Sequence, residues 1–257
     1  MAFANLRSVR LHYNLAGAED APVVVFSHSL GADLSMWDAQ VLEFSRRYRV
    51  LRYDTRGHGE SSLPAGPHTV AAMAGDVLDL LDYLTIPVVS FCGLSLGGLT
   101  GLSLAAQAPK RIRKVVACSA AAKIGTQESW DSRIELVRRE GMKAVVPGIL
   151  ERWFTPAFHV KAPETIRTTE RVLLGIDVDG YAAGCAAVRD TDLREGLSAV
   201  VPTLLANGAS DPVTPPSDGR ALAGLIPRAR FLEFAGAHMF TMESAAEFTS
   251  AVLGFLD

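Results

Sequence analysis

The chain has 257 residues, with 25 basic and 28 acidic side chains and a formal net charge of −3. That length suits one large domain or a domain carrying an insertion, and it is enough to bury a substantial core. A 49% hydrophobic and 21% charged composition excludes disordered, collagen-like and coiled-coil chains, and the charge balance lacks the basic field that nucleic-acid recognition needs.

The first twenty residues place charges at Arg7 and Arg10 and contain no apolar core of a secretory signal. No apolar run approaches the roughly 20 residues needed to cross a bilayer. The expectation is a cytoplasmic protein that engages neither membranes nor nucleic acid. Arg7 to Ala16 alternates roughly and predicts part of an opening antiparallel hairpin. Val23 to Ser27, Arg49 to Tyr53, Val88 to Cys92, Val115 to Ser119, Thr203 to Gly208 and Arg230 to Phe234 read as buried strands. Between them, Val70, Met73, Val77, Leu80, Leu81 and Leu84 recur at helical spacing, with Thr69 as a cap and Pro87 as a stop. This rhythm predicts an α/β protein with a mostly parallel central sheet flanked by helices.

The rhythm breaks between Lys123 and Asp190, where Pro147, Pro156 and Pro163 interrupt a helical pattern. The segment 123–190 is expected to be a helical cap inserted after the sixth strand, leaving 1–122 and 191–257 as the core. It holds ten basic and ten acidic residues, so its total charge says nothing about a ligand. Cys92, Cys118 and Cys185 match no zinc or redox spacing and read as small buried hydrophobes, so no metal site is expected.

Gly93-Leu94-Ser95-Leu96-Gly97 follows an apolar strand and precedes the helical run Leu96 to Ala108. A strand turning sharply into a helix needs glycines on both sides of its central residue and presents that residue at the helix's positive end. Ser95 is therefore the candidate nucleophile. A serine needs a base and an orienting acid. His238, in a loop after the last strand, and Asp211, just beyond Thr203 to Gly208, stand where each would be useful. The backbone amides of Leu96 and Leu30, the latter in His28-Ser29-Leu30-Gly31, are the expected oxyanion donors. His28 reads as a buried hydrogen-bonding residue, and Asp54, Arg56 and His58 as braces of the surrounding loops.

With its Ser, Asp, His order, its elbow and Tyr53-Asp54-Thr55-Arg56-Gly57-His58-Gly59, the chain resembles the α/β-hydrolase superfamily over essentially its whole length. Within it, His28 to Trp37, Gly93 to Gly98, Gly180 to Asp190 and Asp211 to Pro216 resemble the 3-oxoadipate enol-lactonases of aromatic catabolism. Ser29 stands where many relatives carry glycine. The resemblance implies a serine acyl-enzyme without a cofactor and a small anionic lactone as substrate. A cation is then needed for the carboxylate, with Arg133 and Arg189 as candidates, and Trp130 and Trp153 are candidate apolar walls. A general carboxylesterase or haloperoxidase-like hydrolase stays open, as do a ligand receptor on this fold and a homo-oligomer.

Overall fold

The computed structural model describes residues 2–66, 68–197 and 201–257. The strands are β1 (Ala2–Asn5), β2 (Arg10–Ala16), β3 (Val23–Ser27), β4 (Arg49–Tyr53), β5 (Val89–Leu94), β6 (Ile112–Cys118), β7 (Thr203–Gly208) and β8 (Arg230–Phe234). They form one eight-stranded sheet in the order β1-β2-β4-β3-β5-β6-β7-β8. β2 pairs antiparallel with both β1 and β4; every other pairing is parallel. The hairpin begins at Ala2 rather than Arg7, and the Leu6 amide closes its turn on the Val9 carbonyl at 2.9 Å. β5 runs past Cys92 because Gly93 and Leu94 still pair with Ala117 and Cys118 of β6, which itself starts earlier than expected.

Helices α1 (Asp38–Phe44), α2 (Val70–Tyr83) and α3 (Leu96–Gln107) follow β3, β4 and β5 respectively. Between β6 and β7 lie α4 (Gln127–Glu140), α5 (Val146–Trp153), α6 (Pro156–Lys161), α7 (Pro163–Gly175) and α8 (Val178–Asp190). After β7 come α9 (Pro216–Leu225), and after β8 the short α10 (Phe240–Glu243) and α11 (Ala245–Leu256). Strand alternation divides the interior into two layers. Val24, Phe26, Val50 and Val116 pack with Phe44 of α1 and Phe248 and Val252 of α11. Val25, Leu51, Phe91 and Val115 pack with Val77 and Leu80 of α2, Leu102 of α3 and Leu222 of α9. Thr69 caps α2 by accepting the Ala72 amide at 3.0 Å.

The inserted prolines act differently from the sequence expectation. Pro156 and Pro163 are the first residues of α6 and α7, and Pro147 lies in the first turn of α5. They start helices, because the amide that proline lacks has no intrahelical partner in a first turn. The two stems of the insert meet: the Leu193 amide donates to the Ala122 carbonyl at 2.7 Å, and Lys123 reaches the carbonyls of Arg189 and Thr191. Helix α8 lies directly on the core loops. A Cβ on Gly180 would stand 2.1 Å from the Gly57 carbonyl oxygen, and one on Gly184 would stand 2.5 Å from Leu30 Cδ1. Among the described residues no helix is long and apolar enough to cross a membrane.

Candidate active site

Ser95 sits between β5 and α3 with φ 55° and ψ −112°, a conformation that costs a residue with a side chain of order 1–3 kcal/mol. Its surroundings hold it there. Its amide donates to the Cys118 carbonyl at 2.8 Å, and its carbonyl accepts the Leu99 amide at 2.9 Å. The flanking glycines are required by space. A Cβ on Gly93 would meet the Gly97 carbonyl oxygen at 2.2 Å, and one on Gly97 would meet the Ser27 carbonyl oxygen at 2.3 Å.

Asp211 and His238, 27 positions apart, meet with Nδ1 to Oδ2 at 2.9 Å. The Asp211 carboxylate also accepts from the amides of Val213 and Thr214 and from the Thr214 hydroxyl. Burial alone would raise its pKa; the charge and hydrogen bond of His238, with the Thr214 bonds, outweigh that and hold it below the ordinary value. A carboxylate loaded with donors takes the proton-bearing Nδ1 of the imidazole, so Nε2 keeps its lone pair. The Ser119 hydroxyl holds the His238 carbonyl at 2.8 Å. Both Ser95 and His238 line a cavity of about 200 Å³.

The loop after β3 is set by hydrogen bonds of His28. The Thr55 amide donates to its Nε2 at 2.9 Å, so Nδ1 carries the proton and donates to the Ser29 carbonyl at 2.7 Å. The Ala32 amide binds that same carbonyl at 3.1 Å. With the Ser29 carbonyl held away, the trans peptide turns the Leu30 amide the opposite way. Ser29 and Leu30 line the cavity. The Leu96 amide opens α3 and belongs to the unpaired first turn of a helix. Nearby, Asp54 accepts from the amides of Leu34 and Glu60 and from His12, while Arg56 forms two 2.6 Å bonds to Asp76. Burial, reinforced by His28 5.4 Å away between ring centroids, pushes the His58 imidazole down to about 3.

The insert closes the cavity with Trp130, Arg133, Arg152, Trp153 and Tyr181. Arg133 lies 5.0 Å from the Trp130 ring centroid and faces the Tyr181 hydroxyl. Arg189, the other candidate cation, is placed differently. It lies outside the lining, where Asp131 and Asp190 neutralise it at the end of α8. Arg152 and Tyr181 went unnoticed in the sequence; only Tyr181, inside the Gly180 to Asp190 stretch, carried a signal. Trp153 also borders a larger cavity of about 410 Å³, whose charged lining residues are Asp33, Asp38 and Glu164. That chamber contains neither Ser95 nor His238. Among the described residues no cluster of three or more His, Cys, Asp or Glu could hold a metal, and the three cysteines are buried and unpaired.

A family model described as the alpha/beta hydrolase fold matches residues 22–139. The crystal structure of the enol-lactonase from Burkholderia xenovorans LB400 superposes with a TM-score of 0.97 at 43% identity, covering 99% of each chain. This chain belongs to the α/β-hydrolase family and is a hydrolase of ester bonds. It is 40% identical to 3-oxoadipate enol-lactonase 2 of Acinetobacter baylyi over 96% of this chain and 92% of that one. A thermophilic esterase from Thermogutta terrifontis, solved with malate bound, shares 26% identity and a TM-score of 0.93 over 100% of this chain and 98% of that one.

Proposed function

We propose that the protein hydrolyses 3-oxoadipate enol-lactone to 3-oxoadipate, a step in aromatic catabolism in the cytoplasm. The observation that carries this reading is the cavity itself: Ser95 and His238 share it with arginine side chains and apolar walls, and among the described residues no carboxylate lines it. Such a space suits a small ring bearing an anionic arm. The enol-lactonase relatives and the malate-bound esterase point the same way.

In this reading Ser95 Oγ attacks the ring carbonyl while His238 Nε2 takes its proton. The amides of Leu30 and Leu96 stabilise the oxyanion. The bond to the ring oxygen breaks, His238 returns the proton to the departing enol oxygen, and the enol becomes a ketone. The ring carbonyl is left as an ester on Ser95. Water then gives a proton to His238 and attacks that ester; Ser95 leaves with the proton, and 3-oxoadipate departs. Asp211 holds the imidazole's orientation and stabilises its charged form. Segment 123–190 acts as the cap that recognises the substrate, with Arg133 toward the carboxylate and Trp130 and Trp153 along the ring, and the core of 1–122 and 191–257 performs the reaction. Purified protein should open the enol lactone with a kcat/KM at least tenfold above that for 4-nitrophenyl acetate. Equal or better turnover of the neutral ester would make it a general carboxylesterase instead.

A further inference from the structure

The cavity carries two guanidinium groups where one carboxylate needs only one. Arg133 comes from α4 and Arg152 from the last turn of α5. Both are half-buried. The Arg152 guanidinium folds back along its own helix, so that a Cβ at Gly148 would stand 3.3 Å from Nη1. Among the described residues neither arginine has a carboxylate within 4.0 Å, whereas Arg52, Arg56, Arg111, Arg167, Arg189 and Arg220 each have at least one. Burial first, then the nearby charge of Arg133, lowers the pKa of Arg152. Two partly desolvated cations that repel each other favour an anion between them.

We infer that Arg152 is a second carboxylate-binding residue, and that Arg133 and Arg152 clamp one carboxylate of the ligand between them. This rests on the reading of the site as a hydrolase of anionic lactones and deepens it. The fork of a guanidinium matches a carboxylate, and two forks from different helices fix its direction as well as its charge. The clamp belongs to α4 and α5, whereas Ser95 belongs to the core. A ligand must therefore present a carboxylate at one end and an ester carbonyl at the other. Small carboxylate-bearing lactones meet that requirement; neutral esters lose the clamp, and bulky ones exceed a cavity of about 200 Å³.

The test uses (5-oxotetrahydrofuran-2-yl)acetate, a saturated lactone whose alkoxide leaving group makes it slow to open, together with its neutral methyl ester. Their binding is measured by titration calorimetry on wild type, R152M, R152K and R133M, with turnover of the enol lactone by wild type measured alongside. Wild type should bind the acid at least tenfold more tightly than the ester. R152M should lose about tenfold or more of the acid's affinity and keep the ester's within twofold, which also shows the cavity intact; R152K should recover part of the loss. An unchanged acid-to-ester ratio in R152M, or equal weakening of both ligands, overturns the proposal. Selective loss in R152M, with a wild type that opens the enol lactone no faster than an aryl ester, would uphold the clamp and sink the lactonase reading. Fast enol-lactone turnover with an unchanged ratio would do the reverse.

Discussion

At Ser95, backbone strain and the proposed nucleophile meet in one residue. The backbone bonds that hold its left-handed conformation do not involve its hydroxyl. Ser95→Ala should therefore fold normally and lose about 10⁴-fold or more in kcat, read with the background rate subtracted; near-normal turnover would remove the elbow from the reaction. Asp211→Asn, which keeps the shape and loses the charge, should cost about 10⁴-fold, and retained activity would point to another acid. A different residue governs stability in mild acid. The His58 pKa of about 3 lies below the ordinary imidazole value, so the unfolded chain binds a proton there that the folded chain refuses. Stability from this group is complete above about pH 6.5 and falls by up to ~1.4 kcal/mol per pH unit as the pH drops toward 3. Urea unfolding between pH 4 and 7 should show a shallower pH dependence for His58→Asn than for wild type. Identical slopes would assign the proton elsewhere.

Helix α8 shows how one element of the insert governs core loops through absent side chains. A Cβ at Gly180 would meet backbone at Gly57, whereas one at Gly184 would meet the end of the flexible Leu30 side chain and, at 3.2 Å, His58 Cε1. Overpacking against backbone forces the helix itself to move, at about 1–3 kcal/mol, while a rotatable methyl can give way. Gly180→Ala should therefore lower Tm more than Gly184→Ala, and Gly184→Ala should lower kcat more than its Tm would suggest, because Leu30 belongs to the proposed oxyanion loop. Equal Tm losses with unchanged kcat would break this link between α8 and the loop. Part of this was legible. The stretch Gly180 to Asp190 stood out in sequence because the fold does not demand it, and the strand cores followed from apolar runs. Strand ends did not, since Gly93 and Leu94 of β5 and Ile112 of β6 are placed by pairing with neighbours rather than by local pattern.

Across the whole molecule, the proposed reading divides recognition and reaction between insert and core. Arg133→Met should lower kcat/KM for the enol lactone about ten- to hundredfold, the worth of a charge-assisted hydrogen bond, and leave 4-nitrophenyl acetate nearly untouched. Ser95→Ala should abolish both. If Arg133→Met slows both substrates alike, the arginine supports the wall and the division of labour fails. The two parts are nonetheless joined at the reacting end. Glu243 of α10 accepts the Ala237 amide at 2.8 Å and the Thr155 amide and hydroxyl, and the Met239 amide donates to the Trp153 carbonyl at 2.9 Å. The loop bearing His238 is thus pinned to the end of α5, one residue from Arg152.

The sequence alone determined seven of the sheet's eight strands and offered the candidates Ser95, Asp211 and His238, because each depends on local chemistry: apolar runs, a glycine-flanked turn, a polar residue just past a strand. Which cations serve the cavity was decided only by the tertiary structure. Arg133, Arg152 and Arg189 are alike as residues of a charge-balanced segment. Folding brings Arg189 beside Asp131, 58 positions away, and neutralises it, while it leaves Arg133 and Arg152 lining the same cavity as Ser95, with no carboxylate among the described lining residues. A guanidinium's function is set by the charges within a few ångströms of it, and those neighbours are chosen by packing between helices rather than by order along the chain.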